Sequence, residues 1–294
     1  MSQPIRAKKR WSQNFFQDAE TLALCLDPLE LQPEDTVLEI GPGQGMLTRL
    51  LLQRVKRVIA IEIDPELYRL LQSTFAHEPH LELLHQDFMS LDLNSLLAEI
   101  PFAQRKLVAN IPYHLTTPIL MKVLNESAWK QGLTSESAYF SDIGLMVQKE
   151  VAEKLDALPG RRGYGALSVQ VRFAAEVQTL AVLPRTLFDP QPQVDSAFVR
   201  LQPRTANPVS TTELTLYWRL VQAIYQMRRK TLRNVLKRLG ISAQGLAAIG
   251  QEIDLGLRGE VFGLEDLARL TEAVKPWLRS ASDASDSTPT GLET

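Results

Sequence analysis

The chain has one cysteine in 294 residues, Cys25. No disulfide can form within it, which excludes a disulfide-stapled secreted scaffold and suits a reducing cytosol. Cys25 lies in the apolar run TLALCL and reads as a small core residue. No apolar run approaches the ~18 residues that cross a bilayer, so no membrane segment is expected. The opening stretch MSQPIRAKKRWSQNFF is basic but lacks an apolar core, so no secretory signal is expected and the reading is cytoplasmic. Histidines are few: His77, His80, His85 and His114. None stands with cysteines or carboxylates at ligand spacing, so no metal is expected. Internal repeats and a recognisable nucleophile–base pair are also missing.

The composition is 45% hydrophobic, ample for a sizeable core. A net charge of −2 argues weakly against a nucleic-acid partner, but its distribution argues for one. Residues 1–10 carry four Lys/Arg and no acid, and residues 200–240 carry nine against one acid, Glu213. The remainder therefore carries a net charge of −14. Two basic segments on an acidic chain make a footprint for phosphates.

From residue 35, β-branched runs alternate with helical patterns. DTVLEI, RVIAIEI, HLELLHQ, RKLVAN and DIGLMVQ read as strands separated by helices, the arrangement of parallel βαβ units. Asp64 and Pro65 have the chemistry of an N-cap and a first helical position. EVQTLAVLP (176–184) and DSAFVRLQP (195–203) have no helix between them and predict an antiparallel pair at one sheet edge. The fold class is α/β, a Rossmann-like parallel sheet followed by a small all-helical C-terminal domain. The polar, proline-containing stretch 203–213 marks the boundary. The expected division is 1–204, 205–280 and a small polar tail, 281–294, expected to be disordered. In QMRRKTLRNVLKRLG (226–240), Leu232, Val235, Leu236 and Leu239 form an apolar helical face, with Arg229, Arg233 and Lys237 on another.

Three signals carry chemistry. In LEIGPGQG (38–45), Gly41, Gly43 and Gly45 let backbone approach a ligand at a strand-to-helix turn. Glu62 ends the next strand, where a carboxylate reaches both hydroxyls of a ribose. The pair points to an adenine-nucleoside cofactor without saying which; Met46 stands where a dinucleotide site has its third glycine. In HQDF (85–88), Asp87 ends a third strand, where it can accept from an adenine amine or simply cap a turn. The third signal is NIPY (110–113). Adenine's exocyclic nitrogen is a poor nucleophile because its lone pair is delocalised into the ring. Acceptors on its N–H bonds, from the Asn110 side chain and a backbone carbonyl near Ile111–Pro112, would draw it towards tetrahedral geometry. Pro112 locks the turn, and Tyr113 can stack on a flipped-out base. Positioning for in-line methyl transfer needs no strong base.

Together SQNFF, EIGPGQGMLT, IEID, QDF, NIPY, LMVQKEVAEKL, FDPQPQVDSAFVRL and RRKTLRN resemble, in order, the small-subunit rRNA adenine N6,N6-dimethyltransferase family. The resemblance runs from about Lys8 to Leu239. It implies a class I methyltransferase that uses S-adenosylmethionine, releasing S-adenosylhomocysteine. The substrate would be two adjacent adenosines in the 3′-terminal hairpin of 16S rRNA within an immature 30S particle. Nothing in the sequence suggests an obligate dimer, so a monomer is expected, and binding of an immature subunit is compatible with a checkpoint in subunit biogenesis. Asn14 and Phe16 would close over the cofactor, and Gly41 and Gly43 would face its methionine and ribose. Glu62 would hold the ribose, Asp87 the adenine, and Asn110 both cofactor and target amine. Phe188 would join Tyr113 in sandwiching the target base. Arg228, Arg229, Lys230, Arg233 and Lys237 would meet the rRNA backbone. Phe16 departs from the family's usual leucine. The stretch 126–142 is longer than expected and reads as a surface-loop insertion. LRGEVFGLEDL (257–267) is a loose version of the family's Arg-x-Glu-x-Leu stretch.

Three other readings fit the sequence less well. The large-subunit dimethyltransferases of macrolide resistance fit FDPQPQVDSA and RRKTLRN less well. A non-catalytic assembly factor would tolerate damage at Glu62, Asp87 or Asn110, and none is present. A dinucleotide-dependent dehydrogenase loses on the glycine pattern and on NIPY.

Overall fold

The computed structural model describes residues 14–211 and 213–278. The basic segment 1–10 and the tail 281–294 lie outside the described residues. The chain divides into two compact units. One runs through Ala157 and resumes over Gln170–Asn207; the other comprises Leu158–Val169 and the chain from Pro208 on.

The first unit is built on a 7-stranded sheet. After a short strand β1 (Phe15–Phe16) and helix α1 (Ala19–Leu26), the chain alternates through β2 (Thr36–Ile40), α2 (Met46–Leu52), β3 (Arg57–Glu62), α3 (Pro65–Thr74), β4 (Leu81–His85), α4 (Leu93–Leu97) and β5 (Arg105–Asn110). It continues through α5 (Thr116–Val123), α6 (Glu126–Gln131), β6 (Asp142–Gln148), α7 (Lys149–Leu155), α8 (Ala166–Ala174, of which the residues through Val169 fall in the second unit), β7 (Ala175–Leu183), β8 (Phe188–Asp189) and β9 (Ser196–Pro203). The strand order is β4-β3-β2-β5-β6-β9-β7. Pairing from β4 to β6 is parallel, and β9 and β7 close the edge antiparallel, as the helix-free interval between their sequences predicts. Every residue of β2 is buried, which explains its apolar character apart from Thr36 and Glu39. Asp64 caps α3 by accepting from Glu66 N–H at 2.9 Å, with Pro65 in the first turn. Cys25 is buried in the core, where burial raises its thiol pKa.

Two elements differ from the sequence reading. The stretch 126–142 is not a plain surface loop. It holds α6, whose Trp129 is fully buried and packs 6.3 Å from Phe173. Phe140 is fully buried as well. An indole and a phenyl ring removed from water make this stretch part of the core. Second, β1 and β8, neither read as a strand, pair antiparallel with Phe16 opposite Phe188. Local propensity in a two-residue strand is too weak to show; the partner creates it.

The second unit contains α9 (Leu214–Gln226), α10 (Leu232–Arg238), α11 (Ala243–Ile249) and α12 (Leu264–Val274). Buried residues include Leu220 and Ile224 of α9 and Leu267, Leu270 and Val274 of α12. The basic helix is shorter than its periodicity predicts. α9 ends at Gln226, and Arg228–Lys230 form a turn before α10. Thr231, extended at φ −70° and ψ 157°, starts the new helix. The amides of Leu232 and Arg233 donate to the Leu257 and Leu255 carbonyls, at 2.8 and 2.9 Å. The apolar face 232–236 is real, but Arg229 is not on the helix that carries Arg233 and Lys237. Among the described residues, no helix is long and apolar enough to cross a membrane.

Candidate functional site

The carboxyl ends of β2, β3, β4 and β5 lie side by side, because Ile40 is in register with both Ile61 and Ala109, and Glu62 with His85. Successive strands run outward on one side of β2 as β3 and β4, and on the other as β5 and β6. The reversal leaves a crevice above the strand ends, where α/β sheets bind ligands. A cavity of about 440 Å³ occupies it, lined by residues from each of these strand ends.

The turn after β2 forms one wall. Gly41, Gly43 and Gly45 have φ of +66°, +60° and +85°, the left-handed region that favours glycine. A Cβ on Gly41 would meet nothing within 4 Å, so the space beside its backbone is open. A Cβ on Gly45 would lie 2.6 Å from Phe75 Cε2. Glu62 accepts from Gly43 N–H at 3.2 Å through one oxygen and from Asp64 N–H at 2.8 Å through the other. The glycine turn and the acid at the end of β3 are thus one unit. Burial raises the Glu62 pKa, and the two amides oppose that shift. A carboxylate oxygen has two acceptor positions, so each retains one for a hydroxyl.

Glu39 is a cavity-lining acid that the sequence reading missed. It is 1% exposed and lines the cavity floor. Both carboxylate oxygens are shut off from water, with Thr48 as the polar neighbour beside them. Burial, reinforced by the charge of Glu62, pushes its pKa up to about 8. The signal was there to find, since a lone acid inside an otherwise apolar buried strand requires a reason.

Asp87 is exposed, lines the cavity and caps the turn over Phe88–Ser90, accepting from Met89 N–H at 2.8 Å. The capping alternative is therefore occupied, by one oxygen. Lys122 of α5 holds the same turn, donating to the carbonyls of Met89 at 2.8 Å and Leu91 at 2.6 Å. Its Nζ stands 5.2 Å from the centre of the Phe88 ring.

At the end of β5, the Asn110 side-chain amide donates to the Asn14 carbonyl at 3.3 Å. This turns the amide oxygen away from Asn14. Pro112 O accepts from Leu115 N–H at 2.9 Å, so that carbonyl is committed to the turn. The Ile111 carbonyl receives no backbone N–H among the described residues. Tyr113 lines the cavity and its hydroxyl lies 2.7 Å from that of Ser196, the first residue of β9. Burial raises the Tyr113 pKa.

Asn14, Phe16, Gly41, Gly43, Glu62, Asp87, Asn110, Pro112 and Tyr113 all line this one cavity. Phe188 does not. It is 4% exposed, with its ring edge-on to Phe16 at 4.9 Å, among the core residues. The structure places the Phe188 ring against Phe16 and outside the residues that line the cavity, whereas the resemblance implies that it sandwiches a target base. Arg228, Arg229, Lys230, Arg233 and Lys237 belong to the second unit, are exposed, and form no ion pair among the described residues.

The model of the ribosomal RNA adenine dimethylase family matches residues 5–269. Ribosomal RNA small subunit methyltransferase A of Geobacillus thermodenitrificans (strain NG80-2) is 37% identical over 283 residues, covering 92% of each chain. Its counterpart in Geobacter metallireducens is 37% identical over 276 residues, covering 92% of this chain and 96% of that one. Among solved structures, the 23S rRNA methyltransferase ErmE is 28% identical with a TM-score of 0.67, over 89% of this chain and all of that one. A dimethyladenosine transferase from Plasmodium falciparum, 24% identical with a TM-score of 0.71 over 89% of this chain and 98% of that one, shares the fold.

Proposed function

The chain belongs to the ribosomal RNA adenine dimethylase family, and from that footing we propose that it transfers methyl groups from S-adenosylmethionine to the N6 amino groups of two adjacent adenosines near the 3′ end of small-subunit rRNA. The observation that carries the reading is the convergence of the Gly41 turn, Glu62, Asp87 and Asn110 on one cavity. The relatives at 37% identity that are named small-subunit methyltransferases favour that RNA over the large-subunit RNA of ErmE.

The cavity suits such a cofactor. An open glycine backbone, the spare acceptor positions of Glu62 and the buried carboxyl of Glu39 match hydroxyls and a cationic amino-acid end. When bound, the cofactor supplies an electrophilic methyl group on a sulfonium. Glu62 accepts from the ribose hydroxyls. Asp87 uses its second oxygen for the adenine amine while the first holds the turn. The Asn110 oxygen, directed away from Asn14, and the Ile111 carbonyl accept the two N–H bonds of the target amine. That pair withdraws the nitrogen lone pair from the ring and points it at the methyl. Tyr113, anchored by Ser196, offers its ring face to the extruded base. No residue need remove a proton before transfer, because the amine becomes strongly acidic once it has been methylated. Positioning supplies the rate.

The exposed cations of 228–237 neutralise rRNA phosphates. The working form is proposed to be a cytoplasmic monomer acting on an immature 30S particle. Occupying that particle until both adenosines are modified would make the reaction a checkpoint.

The test is methyl transfer from radiolabelled S-adenosylmethionine to unmethylated small subunits and, in parallel, to protein-free large-subunit rRNA, followed by digestion to nucleosides. Labelled N6,N6-dimethyladenosine from small subunits alone is expected. Label confined to large-subunit RNA would reassign the substrate, and tight subunit binding with no label would leave an assembly factor.

A further inference from the structure

The segment Leu158–Val169 (LPGRRGYGALSV) leaves the sheet unit and clusters with the helical one. It carries two arginines and no acid. Arg161 and Arg162 are both exposed, and neither forms an ion pair among the described residues. They sit between Gly160 at φ +75° and Gly163 at φ +93°. A Cβ at Gly160 would find only open space, so glycine there serves the turn and not the packing.

The loop is held rigidly. Arg161 N–H donates to Leu158 O at 3.0 Å, and Tyr164 N–H to Arg161 O at 3.2 Å. Gly160 N–H donates to Glu260 O at 2.8 Å, and the buried Tyr164 donates its hydroxyl to Phe262 O at 3.1 Å. The same stretch of chain supports the basic turn before α10. Thr231 bridges to Arg258, and Leu232 N–H donates to Leu257 O. One strut, 255–262, therefore carries two basic loops. Their anchor points, Arg258 and Glu260, are two residues apart, no more than about 7 Å along an extended chain. Glu260 is the acid beside the second loop; its neighbours on the strut are Gly259 and Val261.

Two adjacent guanidinium groups that form no ion pair among the described residues repel each other, and a preorganised loop that presents them outward suits a polyanion. We propose that Arg161 and Arg162 form a second phosphate-binding loop of the helical unit, which grips the rRNA backbone together with the 228–233 turn hung from the same strut. The inference rests on the rRNA reading above. It adds a contact from a loop that interrupts the catalytic unit in sequence, so RNA engagement is not confined to the C-terminal segment.

The experiment measures binding of unmethylated small subunits across a salt series for wild type, Arg161→Ala/Arg162→Ala, Arg161→Lys/Arg162→Lys and Arg228→Ala/Arg229→Ala. Each lost phosphate contact lowers the slope of log K against log salt by about 0.7–0.9. The Arg161/Arg162 alanine pair is expected to lose roughly 1.4–1.8 from that slope, the sum for two contacts, and to bind about tenfold or more weakly at low salt. The lysine pair is expected to keep the slope. An unchanged slope in the Arg161/Arg162 alanine pair, with a reduced slope in the Arg228/Arg229 pair, overturns the inference and leaves the rRNA reading standing. Wild type that neither binds nor methylates small subunits overturns both.

Discussion

The hydroxyls of Tyr113 and Ser196 lie 2.7 Å apart, tying the turn after β5 to the first residue of β9. The bond fixes the tyrosine ring at the cavity mouth from a strand 83 residues away. Ser196 was not among the residues expected to matter, yet in the proposed mechanism it is the residue that holds the ring a base would meet. Tyr113→Phe and Ser196→Ala are each expected to lower kcat/KM about fivefold, the equivalent of one ordinary hydrogen bond of ~1 kcal/mol. The double variant is expected to lose little more than either single change, read by a double-mutant cycle on methyl transfer. Strictly additive losses would separate the two residues.

Asn110 shows a sharper division between binding and chemistry. With its amide N–H on the Asn14 carbonyl, its oxygen is the part that the proposed mechanism offers to substrate. Asn110→Ala is expected to leave subunit affinity within about twofold while reducing single-turnover transfer by about 10²-fold, the typical effect of removing one preorganised polar contact to a reacting group. Transfer at the wild-type rate would refute the role given to NIPY.

Glu39 predicts a pH dependence of stability. Its carboxyl is buried beside Thr48 and Glu62, with a folded pKa of about 8 against an ordinary 4.5. Between those values the unfolded chain has released a proton that the folded chain retains. The folded state then binds more protons, so stability falls as pH rises, by up to about 1.4 kcal/mol per pH unit, and levels off above pH 8. Glu62, also raised by burial, adds to the fall. Urea unfolding at pH 5.5 and pH 8 is expected to show Glu39→Gln losing most of this slope. An identical slope in the variant would mean that Glu39 is ionised in the fold.

The glycine turn separates strain from occlusion. At Gly41 a methyl group meets no protein atom within 4 Å, but φ is +66°. Gly41→Ala is expected to cost about 1–2 kcal/mol in urea unfolding and to weaken S-adenosylmethionine binding in calorimetry by more than tenfold, because the added carbon points into ligand space. Unweakened binding would move the cofactor away from this turn.

The fates of Glu62, Phe188 and Arg229 show what was legible in the chain and why. Glu62 could be placed at a strand end because a parallel βαβ repeat puts every strand's carboxyl end on one edge, and the glycine turn says which edge. Asn110 followed from the same logic. Phe188 could not be oriented, because its direction depends on pairing with Phe16, a contact that no local pattern encodes. Arg229 fits a helical stripe by spacing alone, but the amides of α10's first turn find better partners in residues 255–257. Trp129 lies in a stretch long enough to look like an insertion, and only the buried position of its ring reveals a structural part. Sequence carried the positions fixed by repeating local geometry; those fixed by a single distant partner needed the fold.

The clip between β1 and β8 has a consequence for birth order. Phe15 and Phe16 are part of the cavity wall, yet their strand partner arrives only with Phe188 and Asp189. On a translating ribosome, where synthesis runs at about 5–20 residues per second, that partner emerges roughly 9–34 seconds after the strand it completes. Until then the first glycine turn and Glu62 exist without a closed wall beside them. A nascent chain stalled before Phe188 should therefore hold a nearly complete parallel sheet and remain blind to the methyl donor, so that the enzyme becomes competent only after most of its own synthesis is behind it.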